Sequence, residues 1–109
     1  MKLAHLLQVA SVSVQGTDAI LLSFALNAEQ QAHFRFLPGQ YLTVAGGPPD
    51  NEQWRCYSLT SDPQDTAQVR VLVRRVRDGL VSNWLCDHAR AGERLQVFPP
   101  SGQIGRAHV

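Results

Sequence analysis

At 109 residues the chain is long enough for one domain and too short for two. Its content of 44% hydrophobic and 17% charged residues is that of an ordinary globular domain, and a formal net charge of +1 gives no field that calls for nucleic acid or an anionic membrane. No run reaches the roughly 18 apolar residues of a membrane span. The N-terminal stretch, broken by Gln8, Ser11 and Ser13, is too polar for a secretory leader, so the expected location is the cytoplasm.

Most of the chain reads as short strands. LLQVASVSVQ (6–15) alternates with a period near two and is followed by a turn at Gly16, Thr17 and Asp18. AILLSFAL (19–26) is the second strand of an antiparallel hairpin. A Pro38-Gly39 turn leads into a short strand from Gln40 to Ala45, and GGPPDNEQ is a loop by composition. WRCYSLTS (54–61) is a fourth strand. AQVRVLVRRV (67–76) is a fifth, with Val69, Val71 and Val73 on one face. RLQVFPP (94–100) is a sixth, stopped by its two prolines.

One segment, GLVSNWLCDHARAGE (79–93), has helical spacing at Leu80, Trp84, Leu85 and His88–Ala89. Ser82 or Asn83 is the expected N-cap and Gly92 the stop. The predicted fold is all-β: a six-stranded antiparallel Greek-key barrel with one covering α-helix, closed so that no sheet edge is left free.

Two groups of residues suggest a site. On a strand, Arg55 and Tyr57 share a face, while Cys56 points the other way as a small core residue. An arginine fork suits phosphate oxygens; a tyrosine offers a flat face and a hydroxyl, and Ser58 a second hydroxyl. The pleat sets Ser58 opposite Tyr57, so a twist or strand end is needed for both to reach one ligand. The second group is Arg74 to Leu85. There Gly79 permits close backbone approach and Ser82 sits near a helix start, whose free N–H groups and partial positive charge hold anions. Taken singly, each group also fits a solvated strand face or a plain helix cap. Together they fit a pyrophosphate gripped from two sides, with Tyr57 beside whatever it carries.

Other features exclude more than they suggest. There is no Walker loop and no G-x-G-x-x-G. Two cysteines, Cys56 and Cys86, are expected as free buried thiols rather than a disulfide. His5, His33, His88 and His108 lack ligand spacing, so no metal site is expected. Trp84 is expected to pack on the barrel and Trp54 in the core or a loop. Arg74, Arg75 and Arg77 form either a solvated face or a docking patch for an acidic partner.

These residues resemble a known family. RCYSLTS (55–61) is similar to the R-x-Y-[ST]-L-x-S motif of the ferredoxin–NADP reductase-like flavoproteins. PGQYLTV (38–44), DGLVSNWL (78–85) and AGERLQVFPPSGQI (91–104) resemble three further motifs, in the family's order, over about residues 6–104. The resemblance is to the bacterial oxygenase-reductase and flavodoxin-reductase type. It implies a flavin-binding barrel, with FAD favoured over FMN because the helix start suits a pyrophosphate. Arg55 would bind that pyrophosphate and Tyr57 would pack on the isoalloxazine and ribityl region. Ser58, as catalytic residue, would sit near flavin N5. Backbone groups around Val71 to Arg74, including Val73, would meet the ring edge or ribityl chain. Gly79, Leu80, Val81 and Ser82 would hold the phosphates.

The resemblance further implies NAD(P)H as co-substrate, with electrons passed through FAD to an iron–sulfur centre or other acceptor. Ile104 departs from the family's usual aromatic. A nicotinamide-binding domain and a [2Fe–2S] domain lie outside this sequence, so residues 1–109 are expected to be one barrel domain of a larger reductase, incomplete for turnover by itself. A dimer through the open inter-domain face is a further expectation. The rival reading is a cofactor-free barrel serving interaction or structure. An oligonucleotide-binding barrel ranks last, because aromatic content is 7% and net charge is near zero.

Overall fold

The alternation of apolar residues becomes one curled antiparallel sheet in the computed structural model, which describes residues 3–102. The strands are β1 (His5–Gln15), β2 (Ala19–Ala25), β3 (Tyr41–Gly46), β4 (Gln53–Ser58), β5 (Gln68–Arg74) and β6 (Arg94–Ser101). Their order across the sheet is β4-β3-β6-β1-β2-β5. Every second residue faces inward: Leu7 and Val9, Ile20, Leu22 and Phe24, Leu42 and Val44, Val69, Val71 and Val73, Leu95 and Val97 are all buried. Burying each such side chain stabilises the fold by about 1.5–3 kcal/mol, so this inward set fixes the register of every strand.

The predicted barrel is not fully closed. The edge strands β4 and β5 come together only just past the end of β4. There Leu59 forms a single bridge with Val71, and the Thr60 N–H donates to the Arg70 carbonyl at 2.9 Å. Beyond that point the two edges are unpaired and a helix fills the opening. The sheet is therefore a barrel with one seam left open.

That helix is α2 (Leu80–His88), which buries Val81, Ser82 and Leu85, with Trp84 and Cys86 packed partly against the core. It lies close over β3 because Gly46 carries no side chain: a Cβ there would stand 3.0 Å from Val81 Cγ1 and 3.3 Å from Leu85 Cγ. A second helix, α1 (Ala28–His33), corrects the expectation of a single one. It is a surface turn with no buried residue. A capping box holds it, the Gln30 N–H donating to Asn27 Oδ1 at 2.8 Å and the Asn27 N–H to Gln30 Oε1 at 3.0 Å.

β6 also runs further than expected. Its prolines do not stop it, because Tyr41 pairs with Ser101 while Thr43 pairs with Phe98. Pro99 and Pro100 together stand opposite the single residue Leu42 in that bulge, where no ladder N–H is required. Among the described residues no helix is long and apolar enough to cross a membrane.

Candidate functional site

A cleft of about 330 Å³ opens where the seam meets the start of α2. Its walls are Arg55, Cys56 and Tyr57 of β4, the turn Val76, Arg77, Asp78 and Gly79, and Val81 and Ser82 of the helix. The two groups of residues singled out in the sequence thus form opposite sides of one cavity.

The β4 side follows from register. Arg55 pairs with Val44 and Tyr57 with Leu42, and both partners are fully buried, so Arg55 and Tyr57 lie on the core-side face of an edge strand. Arg55 is exposed, donates to the Trp54 carbonyl at 2.7 Å, and forms no ion pair among the described residues. Tyr57 is half-buried against the core. Burial, reinforced by the neighbouring Cys86 and opposed by Arg55, pushes its phenol up to about 12, so the ring stands in the cleft as a neutral hydroxyl.

Cys56 is not the small core residue expected. It pairs with Thr43 on the outer face, is exposed, and lies 3.4 Å from the Thr43 hydroxyl. Cys86 is half-buried, with its sulfur 3.7 Å from the Val73 carbonyl oxygen, and burial pushes its thiol up. Both cysteines are free. Trp54 stacks on Phe98 with ring centroids 4.6 Å apart, also on the outer side.

The helix side is built by the turn. The Gly79 N–H donates to the Val76 carbonyl at 2.8 Å, and Asp78 sits at φ +60°, a conformation that asparagine, aspartate and glycine tolerate best. Gly79 itself is the N-cap. Ser82 and Asn83, the expected caps, lie inside the first turn and act differently. Ser82 Oγ accepts from the Val76 N–H at 3.0 Å. Asn83 Nδ2 donates to the carbonyls of Val76 at 2.9 Å and Gly79 at 2.7 Å. Gly79 cannot carry a side chain here, because a Cβ would stand 2.7 Å from Ser82 Oγ and 3.0 Å from the Val76 carbonyl oxygen.

No side chain caps α2 and no acid lies in its first turn, so the N–H groups of Leu80, Val81 and Ser82 have no intrahelical acceptor. The contrast with the fully capped α1 is direct. An uncapped helix start opposite an arginine that has no ion-pair partner among the described residues is an arrangement suited to an anion.

The remaining sequence candidates divide. Arg70 uses its N–H and carbonyl toward the seam, bonding Ser61 Oγ at 3.0 Å and the Thr60 N–H at 2.9 Å. Strand alternation then turns the backbone groups of Leu72 and Arg74 toward the open seam as well, and those of Val73 toward β2. The Val73 side chain is fully buried in the core. The Arg74 side chain turns away from the cleft to pair with Asp18 at 3.1 Å. Arg75 bonds Asn83 at 3.0 Å and pairs with Asp87, holding that carboxyl below the usual carboxylate range. The expected arginine docking patch is therefore largely tied up, and Arg77 alone of the three faces the cleft. Ser58 is exposed at the end of β4, on the face opposite Tyr57, and does not line the cavity. Sequence reasoning missed Val76, Arg77 and Asp78, although the Asp-Gly pair is itself a turn signal.

The sequence matches the oxidoreductase FAD-binding domain family over residues 6–105. The chain belongs to that family. It is 46% identical over 101 residues to the ferredoxin reductase component of 3-ketosteroid-9-alpha-monooxygenase from Mycolicibacterium smegmatis, covering 88% of this chain and 28% of that protein. It is 32% identical over 102 residues to the electron transfer component of anthranilate 1,2-dioxygenase from Acinetobacter baylyi, covering 90% of this chain and 29% of the other. Among solved structures, phthalate dioxygenase reductase superposes with a TM-score of 0.74 at 23% identity, over 95% of this chain and 32% of its own, which shows the shared fold. The chain thus spans less than a third of the length of these relatives.

FAD is the cofactor of this family, and the cleft fits it. The fit rests on the three helix N–H groups without an intrahelical acceptor, on Arg55, which has no ion-pair partner among the described residues, and on a glycine at the point of closest backbone approach. Among the described residues no three His, Cys, Asp or Glu side chains group together. His108 and Ile104 lie outside the described residues.

Proposed function

We propose that this chain is the flavin-binding domain of an NAD(P)H-dependent oxidoreductase that passes electrons to an iron–sulfur centre or another acceptor. The observation that carries the reading is the uncapped start of α2 facing Arg55 across the Tyr57 cleft. The names of the relatives, reductase or electron-transfer components of oxygenases, support the reaction class. Bound FAD supplies hydride acceptance from a nicotinamide and stepwise release of electrons.

The chain's own residues orient and tune that group. Arg55 and the N–H groups of Leu80, Val81 and Ser82 hold the pyrophosphate. Tyr57 offers its flat face to the ring system and, being neutral, adds no charge beside it. Backbone groups of Leu72 and Arg74 along the open seam meet the polar ring edge. Ser58 does not line the cavity, so it would reach flavin N5 with its hydroxyl only where the ring extends past the cleft to the exposed end of β4. A nicotinamide-binding domain completes the slot, and a [2Fe–2S] domain or protein takes the electrons. Self-association of the isolated domain through the face that such a neighbour covers belongs to the same proposal.

Fluorescence titration of the purified chain with FAD tests the site. Wild type binds FAD, and Arg55→Ala weakens binding by at least about tenfold, the loss of a charge-assisted pair to phosphate. Flavin binding equal in both proteins removes Arg55 from the site. A folded chain that binds no flavin, alone or within a longer protein, returns the fold to a cofactor-free role.

A further inference from the structure

We propose that Asp78 is an attenuator of anion affinity: its carboxylate steadies the ligand-free start of α2 and opposes the phosphates that bind there. The proposal rests on the flavin reading of the cleft and concerns how tightly that cleft holds its ligand.

Asp78 is the one non-glycine residue with positive φ among the described residues. The turn needs a residue that accepts φ +60°, and asparagine or glycine meets that need without charge. The negative charge is therefore not a demand of the backbone. It nevertheless stands on the wall of the cleft with Arg55, Arg77, Gly79, Val81 and Ser82. Neither arginine neutralises it: among the described residues Asp78 makes no ion pair and its side chain makes no hydrogen bond.

Its place in the chain gives the charge two opposed effects. Asp78 directly precedes the N-cap Gly79, and α2 has neither a side-chain cap nor an acid in its first turn. In the ligand-free protein a carboxylate there faces the positive end of the helix dipole and is favourable. Once a pyrophosphate takes the same N–H groups, the carboxylate becomes a like charge on the wall of the same cleft. One residue thus raises the stability of the ligand-free state and lowers the affinity for the ligand, which keeps the flavin exchangeable.

The test uses Asp78→Asn and Asp78→Gly, both of which keep the turn conformation, with FAD, riboflavin and inorganic pyrophosphate as probes at low and high ionic strength. Both variants bind FAD and pyrophosphate more tightly than wild type, by about three- to tenfold at low ionic strength, and the gain shrinks as salt is added. Riboflavin, which has no phosphate, binds unchanged, and the Tm of ligand-free Asp78→Asn falls. A turn-conformation role would move all three ligands together and would show no salt dependence. Unchanged or weaker FAD and pyrophosphate binding in both variants overturns the proposal, as does an equal gain for riboflavin. If no variant binds FAD, the flavin reading fails separately and pyrophosphate decides: tighter binding in both variants sustains the role of Asp78, and equal or absent binding ends it.

Discussion

The Val76 N–H donates to the Ser82 hydroxyl oxygen at 3.0 Å, tying the turn after β5 to the first turn of α2. Ser82 is 4% exposed, so water does not replace this acceptor easily. Ser82 lies inside the first turn, and the N-cap position falls to Gly79, which has no side chain to cap the helix and so leaves its end open to an anion. Ser82→Ala should therefore cost about 1–3 kcal/mol, the penalty for an orphaned, partly buried N–H. Urea unfolding of both proteins measures it. A loss below about 0.5 kcal/mol would mean that the Val76 N–H finds another partner.

Much of this arrangement is legible in the sequence because it is local. Val69, Val71 and Val73 announce a strand by alternation, and the structure buries all three. Arg55 and Tyr57 share a face for the same reason. What stays hidden depends on distant partners or on competing uses of one side chain. Cys56 faces outward because its parity is opposite to that of Arg55 and Tyr57, whose partners Val44 and Leu42 are in the core; only the pairing with β3 decides which face is inside. A serine near a helix start usually caps it, whereas Ser82 reaches back to Val76. The helix α1 has no apolar stripe to reveal it, though Asn27 and Gln30 carry a capping-box spacing. The open seam between β4 and β5 joins the two ends of the strand order, and no short stretch of sequence encodes it.

Gly46 fixes how closely α2 can approach β3. A Cβ at this position would meet Val81 Cγ1 at 3.0 Å and Leu85 Cγ at 3.3 Å, and both of those side chains are buried. Gly46→Val adds two further methyl groups to that contact. The expected cost is about 1–3 kcal/mol from overpacking, seen as a lower denaturation midpoint. Moving α2 outward also widens the distance between its N–H groups and Arg55, so FAD affinity should fall with stability. Ordinary stability with unchanged flavin binding would show that the helix tolerates displacement and that its seat is not set by Gly46.

Tyr57 provides a prediction that needs no ligand. Burial first, and then Cys86, push its phenol from 10.0 to about 12, with Arg55 pulling the other way. A group whose folded value is raised contributes stability that is fully present below its unfolded value, near pH 10. That contribution is lost as pH rises from there toward about 12, because only the unfolded chain ionises the phenol readily in that window. Stability should thus be insensitive to Tyr57 through neutral pH and should fall above pH 10, and Tyr57→Phe should flatten that part of the profile. Tyrosinate absorbance gives the direct reading: the folded protein shows a late phase, and that phase vanishes in Tyr57→Phe. Because Arg55 opposes the shift, Arg55→Ala should move the late phase to still higher pH. A late phase that stays where it was in Arg55→Ala would show that the guanidinium does not reach the phenol's field. It would separate electrostatically the two residues that line one wall of the cleft.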